Sequence, residues 1–303
     1  MLLGRVARMY YEHGLTHQEI ANALGLSRVR VTRLLAEARD SGLVEIVIHA
    51  DESAFADEER ALLERFGLRQ AWISPAVPDE VKSERSFGAV GAEALGAMIG
   101  KDEVVGIGLS TAVSLALNAF TARPLGASFV PLTGSSGGLA TGANPHEIAL
   151  TLAARTGGRA FHLPAPLLAA NASAARAATS EPGTAEVLGL ARRAQLLVAG
   201  IGGMTAGEGI LLRSLDEAER ADLVARGAVG DLAGRFFDTD GAAVEGPLDE
   251  RIIGLSLAEM ASVPNRLVIA RGASKVDALR VALAKGLVNM IVTDSATAEA
   301  LLR

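Results

Sequence analysis

The stretch Thr16–Arg39, THQEIANALGLSRVRVTRLLAEAR, holds two helices and the turn between them. Thr16 is a good acceptor for a helix N-terminus, and Glu19 three residues on completes a capping box. Ile20, Ala21 and Leu24 make the buried stripe of the first helix. Gly25 supplies the tight turn, where a side chain would force a strained backbone, and Leu26 plugs the corner. Ser27 caps a second helix whose inner face is Val31, Leu34, Leu35 and Ala38, at i, i+3, i+4 and i+7. Its other face shows Arg28, Arg30, Thr32 and Arg33. Between Gly25 and Arg39 four arginines stand against one acid, Glu37, so this face is suited to a polyanion.

Helix, glycine turn and capped arginine-bearing helix, in that order, meet the requirements of a helix-turn-helix. The N-terminal end of the second helix enters the major groove of duplex DNA. Arginine pairs with guanine there, Ser and Thr reach base edges or phosphates, and the helix N-terminus itself favours a phosphate. The candidate DNA-contacting residues are Gln18, Ser27, Arg28, Arg30, Thr32 and Arg33. A helix pair whose arginines merely solvate the surface is the bland alternative, and the ordered turn and cap positions argue against it. Upstream, Leu2, Leu3, Val6, Ala7, Tyr10 and Tyr11 have the spacing of a supporting helix. Downstream, Gly42 ends the second helix and Leu43–Ile48 reads as a short β-branched strand, compatible with a winged variant.

Around this head the 303-residue chain is acidic, with a formal net charge of −6. Residues 1–50 hold six Lys+Arg and five Asp+Glu, so the remainder carries the whole negative balance and has no electrostatic reason to hold DNA. Half the residues are hydrophobic, enough for two packed cores. Aromatic residues are only 4%, which disfavours stacking of single-stranded nucleic acid. The absence of cysteine removes disulfides, thiolate metal sites and a thiol nucleophile together. No apolar run approaches the roughly 18 residues of a membrane span, and the N-terminus has no signal-peptide pattern. The expectation is a cytoplasmic protein without a membrane partner.

Beyond residue 50 an amphipathic segment, AFADEERALLERFG (54–67), predicts a helix linking head to body. A short apolar strand, a Gly/Ser/Thr-rich loop and a helix then alternate. Strands are expected at Gln70–Ser74, Glu103–Ile107, Ser128–Leu132, Arg159–Leu163, Gln195–Ala199, Arg266–Ala270 and Leu287–Val292. Helices are expected at Ser83–Ile99, Thr111–Thr121, His146–Thr156, Pro182–Arg193, Leu215–Arg226, Lys275–Lys285 and Ala296–Leu302. This is the α/β pattern of an open, doubly wound, mostly parallel sheet, whose ligands bind beyond the C-terminal strand ends. The expected domains are residues 1–50 for the helix-turn-helix, 51–68 for the linker helix and 69–303 for a ligand-binding and oligomerisation domain.

Four loops are chemically pointed. In VVGIGLSTAV (104–113), Gly106 and Gly108 let backbone amides approach a ligand, and Ser110 and Thr111 open a helix fit for an anion such as phosphate. As a dinucleotide fingerprint it fails, lacking the third glycine and the acidic ribose partner. In PLTGSSGGLATGANPHE (131–147), Gly134, Ser135, Ser136 and Gly137 are placed to form an opposite wall. In GDLAGRFFDTDG (230–241), Asp231 can hold a sugar hydroxyl and Arg235 a phosphate, while Asp238 and Asp240 read as a solvated turn. In ARGASKVDA (270–278), Gly272 and Lys275 sit at a strand end that opens a helix. No catalytic set assembles: His146 and His162 stand apart in sequence, GIGGM (200–204) lacks the central serine of a nucleophile elbow, and no metal-ligand spacing occurs. Neither a catalytic residue nor a cofactor is expected.

The whole pattern resembles the SorC/DeoR-type sugar-binding transcriptional regulators. The resemblance rests on QEIANALGLSRVRVTRLLAEAR, VGIGLSTAV, HEIALTLAARTGGRAFHLPAP, GAVGDLAGRFFDTDG and ASKVDALRVALAKGLVNMIVTDSATAEALL. It implies a helix-turn-helix head on a domain similar to sugar-phosphate isomerases and deaminases (NagB/RpiA-like), which binds a phosphorylated sugar or related polyol without converting it. It also implies a homo-oligomer, double-stranded operator DNA as partner, and an effector site built from Gly108, Ser110, Thr111, Gly134, Ser135, Ser136, Gly137, Asp231, Arg235, Gly272 and Lys275. Two positions depart from the pattern: many relatives have Trp-Gly-x-Thr where this chain has Leu109-Ser110-Thr111-Ala112, and the last motif begins Arg271-Gly272 in place of Gly-Gly. The competing expectation is a sugar-phosphate isomerase or deaminase with an accessory helical head, for which Asp231 is the best candidate base.

Overall fold

The computed structural model describes residues 2–44, 53–135, 143–204 and 209–303. The chain divides into two compact units, residues 1–52 and 53–303.

In the first unit, α1 (Leu2–Tyr11), α2 (His17–Leu24) and α3 (Arg28–Asp40) pack around Val6, Ile20, Ala21, Val31 and Leu35, all buried. The capping box forms: Thr16 accepts the Glu19 N–H at 3.3 Å, and the Glu19 carboxylate accepts the Thr16 N–H at 2.7 Å. Gly25 ends α2 at φ +64 and donates its N–H to Ala21 O, so its lack of a side chain is what makes the turn. Ser27 Oγ accepts the Arg30 N–H at 3.2 Å and starts α3. The strand expected over Leu43–Ile48 falls almost wholly outside the described residues.

The second unit runs α4 (Ala56–Phe66), β1 (Gln70–Ser74), α5 (Glu80–Met98), β2 (Val104–Ile107), α6 (Thr111–Ala119), β3 (Ser128–Pro131), α7 (Pro145–Thr156), β4 (Arg159–Ala160), α8 (Ala172–Ser180), α9 (Pro182–Ala191), β5 (Leu196–Ala199), β6 (Ile201–Gly203), α10 (Glu217–Ala225), β7 (Gly230–Leu232), β8 (Arg235–Phe237), α11 (Leu257–Ser262), β9 (Asn265–Ile269), α12 (Val276–Ala284), β10 (Met290–Asp294) and α13 (Ser295–Leu302). Seven strands form one sheet in the order β1-β10-β9-β5-β2-β3-β4, every pair parallel. Both faces are covered. Leu196 and Val198 point into the core beneath α5, α6 and α7, while Leu197 and Ala199 point into the core beneath α4, α9, α12 and α13. Strands buried on both sides must be apolar without alternation, which is why they read as continuous runs in the sequence.

From β2 the chain winds one way, to β3 and β4, then returns to β5 on the other side of β2 and winds away through β9 and β10. The switch point is the crevice between the C-terminal ends of β2 and β5, the place where open sheets of this kind bind ligands.

Three features differ from expectation. The segment read as a linker, now α4, is packed into the second unit, with Leu62 fully buried and Ile73 N–H bonded to Glu59. Helix α8, ASAARAATS, has no large apolar residue to show a period. The segment GDLAGRFFDTDG, read as a loop, is a hairpin: β6, β7 and β8 form a small antiparallel sheet. Its two-residue turn, Ala233-Gly234, has φ +50 and φ +87, as a primed hairpin turn requires.

Candidate functional site

In the first unit the side chains of Gln18, Ser27, Arg28, Arg30, Thr32 and Arg33 are all exposed, and the last four radiate from the N-terminal half of α3. Ser27 is already committed as a cap. Gln18 donates to Asn22 Oδ1 at 3.0 Å. Thr32 Oγ1 donates to Arg28 O at 3.1 Å and lies 3.0 Å from His17 Nδ1.

In the second unit the switch-point crevice holds a cleft lined by Leu109, Ser110, Thr111, Ala112, Gly200, Ile201, Gly202, Ile210, Arg213, Asp231 and Lys275. Its floor is the start of α6. Ser110, buried, caps that helix by accepting the Val113 N–H at 3.0 Å. The next two amides, of Thr111 and Ala112, belong to the first turn, which has no intrahelical acceptors and carries the positive end of the helix dipole. Asp231 comes from β7, opposite Gly202 in the ladder. A Cβ on Gly202 would lie 2.0 Å from Asp231 Oδ1, and one on Gly200 would lie 2.8 Å from Ser110 Oγ, so these glycines make the room in which both polar groups stand. Asp231 accepts the Gly234 N–H at 2.9 Å. Burial pushes its carboxyl up to about 6, against that hydrogen bond and the Lys275 ammonium, which both pull it down.

Lys275 and Arg213 also line a wider pocket next to this one, with Glu80, Arg271, Gly272, Ala273, Ser274 and Asp294. Gly272 has φ +109, a conformation that only glycine adopts without strain, and donates its N–H to Thr297 Oγ1 at 2.8 Å. Arg271, which replaces a glycine of the pattern, is tied to Glu80 at 2.5 Å and to Ser83 Oγ at 2.8 Å, and lies over the Phe87 ring.

Of the predicted ligand-site residues, Ser110, Thr111, Asp231 and Lys275 line one cleft, and Gly272 lines the pocket that adjoins it at Lys275. The others among the described residues line neither. Gly108 donates its N–H to Val198 O, and its missing Cβ lies 2.7 Å from Ala199 Cβ. It lets β2 pack closely on β5. Gly134 is pinned between Ile253 O, which accepts its N–H, and Pro166 O, 2.2 Å from where its Cβ would be. Ser135 continues that crossing by pairing with Ala165 and Leu167. Ser136 and Gly137 lie outside the described residues. Arg235 turns away from Asp231: its guanidinium donates to the carbonyls of Asp249, Ile252, Gly254 and Leu255 and pairs with Asp249 Oδ1 at 2.8 Å. With every N–H group engaged it braces residues 249–255.

Two things escaped the sequence reading. Arg213 sits in a short 3-10 turn, LRS, with neither a glycine nor a strand beside it to mark it. His146 and His162, expected to be isolated, have their Nδ1 atoms 2.6 Å apart, and burial together with the nearby His162 pushes His146 down to about 4. Among the described residues no group of three or more His, Asp or Glu is arranged for a metal, and no helix is long and apolar enough to cross a membrane.

Comparison with known proteins agrees with this two-part construction. Residues 2–53 match the Crp-like helix-turn-helix domain family, and residues 52–303 match the family described as "Putative sugar-binding domain". The chain is 31% identical to the erythritol catabolism regulatory protein EryD of Brucella abortus, over 98% of this chain and 95% of that one. It is also 31% identical to the transcriptional regulator LsrR of Klebsiella pneumoniae, over 99% and 92%. The crystal structure of the full-length sorbitol operon regulator SorC from Klebsiella pneumoniae superposes with a TM-score of 0.81 at 26% identity, covering 100% of this chain and 98% of that one. In sequence from end to end, and in both folded units, the chain belongs to the SorC-type sugar-binding transcriptional regulators.

Proposed function

We propose that this regulator binds operator DNA through α3 and that a sugar phosphate or related polyol, held in the switch-point cleft, sets its affinity for that DNA. One observation supports the effector class above others: a single cleft combines groups that attract an anion with a buried carboxylate that can accept from a hydroxyl. The same lining holds the α6 N-terminus, Lys275 and Arg213 as positive groups and the buried Asp231 carboxylate beside Lys275. A phosphate is favoured by the first set and a sugar hydroxyl by the second. Two relatives are named for erythritol catabolism and for the sorbitol operon, which is consistent with a polyol-derived ligand.

Control of one site by the other requires two arrangements of the protein that the ligand distinguishes in free energy. A single small head making few phosphate contacts binds weakly at physiological salt, so the working form is a homo-oligomer with two or more heads, acting in the cytoplasm. Its operator is a pseudo-palindrome with half-sites a whole number of helical turns apart, about 10 base pairs or a multiple.

The test uses the purified full chain and a duplex from its own promoter. Sugar phosphates and polyols are screened for a rise in melting temperature, then added to a mobility-shift titration and to a turnover assay. Stabilisation with altered DNA affinity and no product supports the regulator. Conversion of a sugar phosphate supports the isomerase or deaminase reading with Asp231 as base. Failure to bind promoter DNA at low salt, with and without these ligands, overturns the proposal.

A further inference from the structure

The arginines of α3 are conspicuous, yet they do not occupy the centre of its outward face. Successive residues turn by about 100° around a helix. The inward residues Val31, Leu34, Leu35 and Ala38 therefore fix a mean direction, and Val29 lies roughly opposite to it. Thr32 and Arg33, three and four residues on, share its stripe. Arg28 and Arg30 fall on the two flanks, each about 100° from Val29. The exposures agree: Val31 is 0% exposed and Leu35 3%, whereas Val29 is 72% exposed, more than any other large apolar side chain among the described residues of the first unit.

A branched aliphatic residue there is costly on two counts. It leaves apolar surface in water, and valine is a poorer helix former than the lysine, glutamate or alanine that a merely solvated position accepts. Its place explains it if the N-terminal turn of α3 inserts into a major groove, because the residue pointing away from the core goes deepest. Valine has no donor or acceptor for a base edge. The one apolar feature that the groove offers is the C5-methyl group of thymine. Arg33, one turn further along the same stripe, is placed for a guanine, and the flanking Arg28 and Arg30 for the phosphates of the two strands.

We propose that Val29 reads a thymine methyl group in each operator half-site, beside a guanine read by Arg33, with Arg28 and Arg30 as charge anchors that carry little sequence information. This inference rests on the reading of the first unit as a DNA-binding head.

Duplexes enriched from a random library by the full-length chain supply the probe. Each thymine of the enriched sequence is replaced in turn by deoxyuridine, which keeps base pairing and removes only the methyl group. Val29→Ala is measured alongside; alanine at an exposed helical position leaves the fold intact, checked by circular dichroism. Wild-type affinity falls about fourfold per half-site at one thymine position and is unchanged at the others. Val29→Ala binds the thymine and deoxyuridine duplexes equally. If no sequence is enriched and no duplex is bound, the DNA-binding reading fails and takes this inference with it. If a sequence is enriched but no deoxyuridine weakens binding, or Val29→Ala still distinguishes the two bases, the assignment of Val29 alone is overturned. A Val29→Ala loss that is equal on both duplexes makes Val29 a packing residue or a contact to another protein surface, which also overturns it.

Discussion

Replacing Asp231 by asparagine separates the charge of this carboxylate from its shape. Burial raises Asp231 from an ordinary 3.8 to about 6, so the folded protein holds this proton more tightly than the unfolded chain does. The stability tied to it is complete below pH 3.8 and is lost as pH rises through about 6. Two units at about 1.4 kcal/mol each make a ceiling of about 3 kcal/mol at pH 8. Asparagine stays neutral, and its Oδ1 can still accept the Gly234 N–H that now meets Asp231. Without ligand, Asp231→Asn is therefore the more stable protein, by about half that ceiling at pH 5 and by most of it at pH 8. At about 2–4 °C per kcal/mol for a unit of this size, the gain in melting temperature grows by several degrees between those pH values. Thermal denaturation followed by circular dichroism at pH 5, 6, 7 and 8 measures it. A gain that is the same at every pH, or that shrinks as pH rises, refutes the placement of a buried, proton-holding carboxyl at this site. The same variant weakens effector binding in calorimetry, because the charged acceptor for a hydroxyl is gone. Stability and ligand affinity then move in opposite directions, as expected where a buried polar group serves binding rather than folding.

Other substitutions probe the remaining parts. Lys275→Ala lowers affinity for an anionic effector at least tenfold in calorimetry and leaves operator affinity in a mobility shift unchanged; since the Lys275 ammonium holds Asp231 down, the variant's pH-dependent loss of stability also moves to higher pH. Arg235→Ala removes a donor from two buried and two half-buried carbonyls and from the Asp249 carboxylate, so it destabilises the second unit by about 3 kcal/mol in chemical denaturation, where a mere effector contact leaves the unfolding midpoint unmoved. Gly25→Ala meets no atom within 4 Å but forces a side chain to φ +64, so it lowers the stability of the first unit by about 1 kcal/mol in the same assay.

What could be read from the sequence and what could not divide along physical lines. Elements whose signal is local were legible: the Thr16–Glu19 box, the Gly25 turn, the Ser27 cap, and the long apolar runs that become β1, β2, β5, β9 and β10. The end of β2 and start of α6 were legible for the same reason, since Ser110 caps its own helix. Positions whose role is set by distant chain were not. Gly108 and Gly134 read as ligand-facing backbone, yet each is required by a neighbour far along the sequence, Ala199 for one and Pro166 for the other. Arg235 read as a free cation because its acceptors lie 14 to 20 residues downstream, on carbonyls that carry no signature. The His146–His162 contact joins α7 to the stretch after β4, a pairing that no local signal marks. The hairpin of β7 and β8 was missed because its strands are three residues long and its turn uses Ala233 where glycine or asparagine is the usual mark of φ above zero.

The cleft draws its lining from five stretches of the chain, near Leu109, Gly200, Arg213, Asp231 and Lys275. During synthesis the amino-terminal residues emerge first and domains fold as they are completed. Helix α3, proposed above to read DNA, is thus made long before the last wall of the cleft. On the function proposed above, a message cut short anywhere between Leu109 and Lys275 yields a head without a finished sensor and without the assembly that brings a second head to DNA, so the product neither answers the metabolite nor holds a promoter tightly.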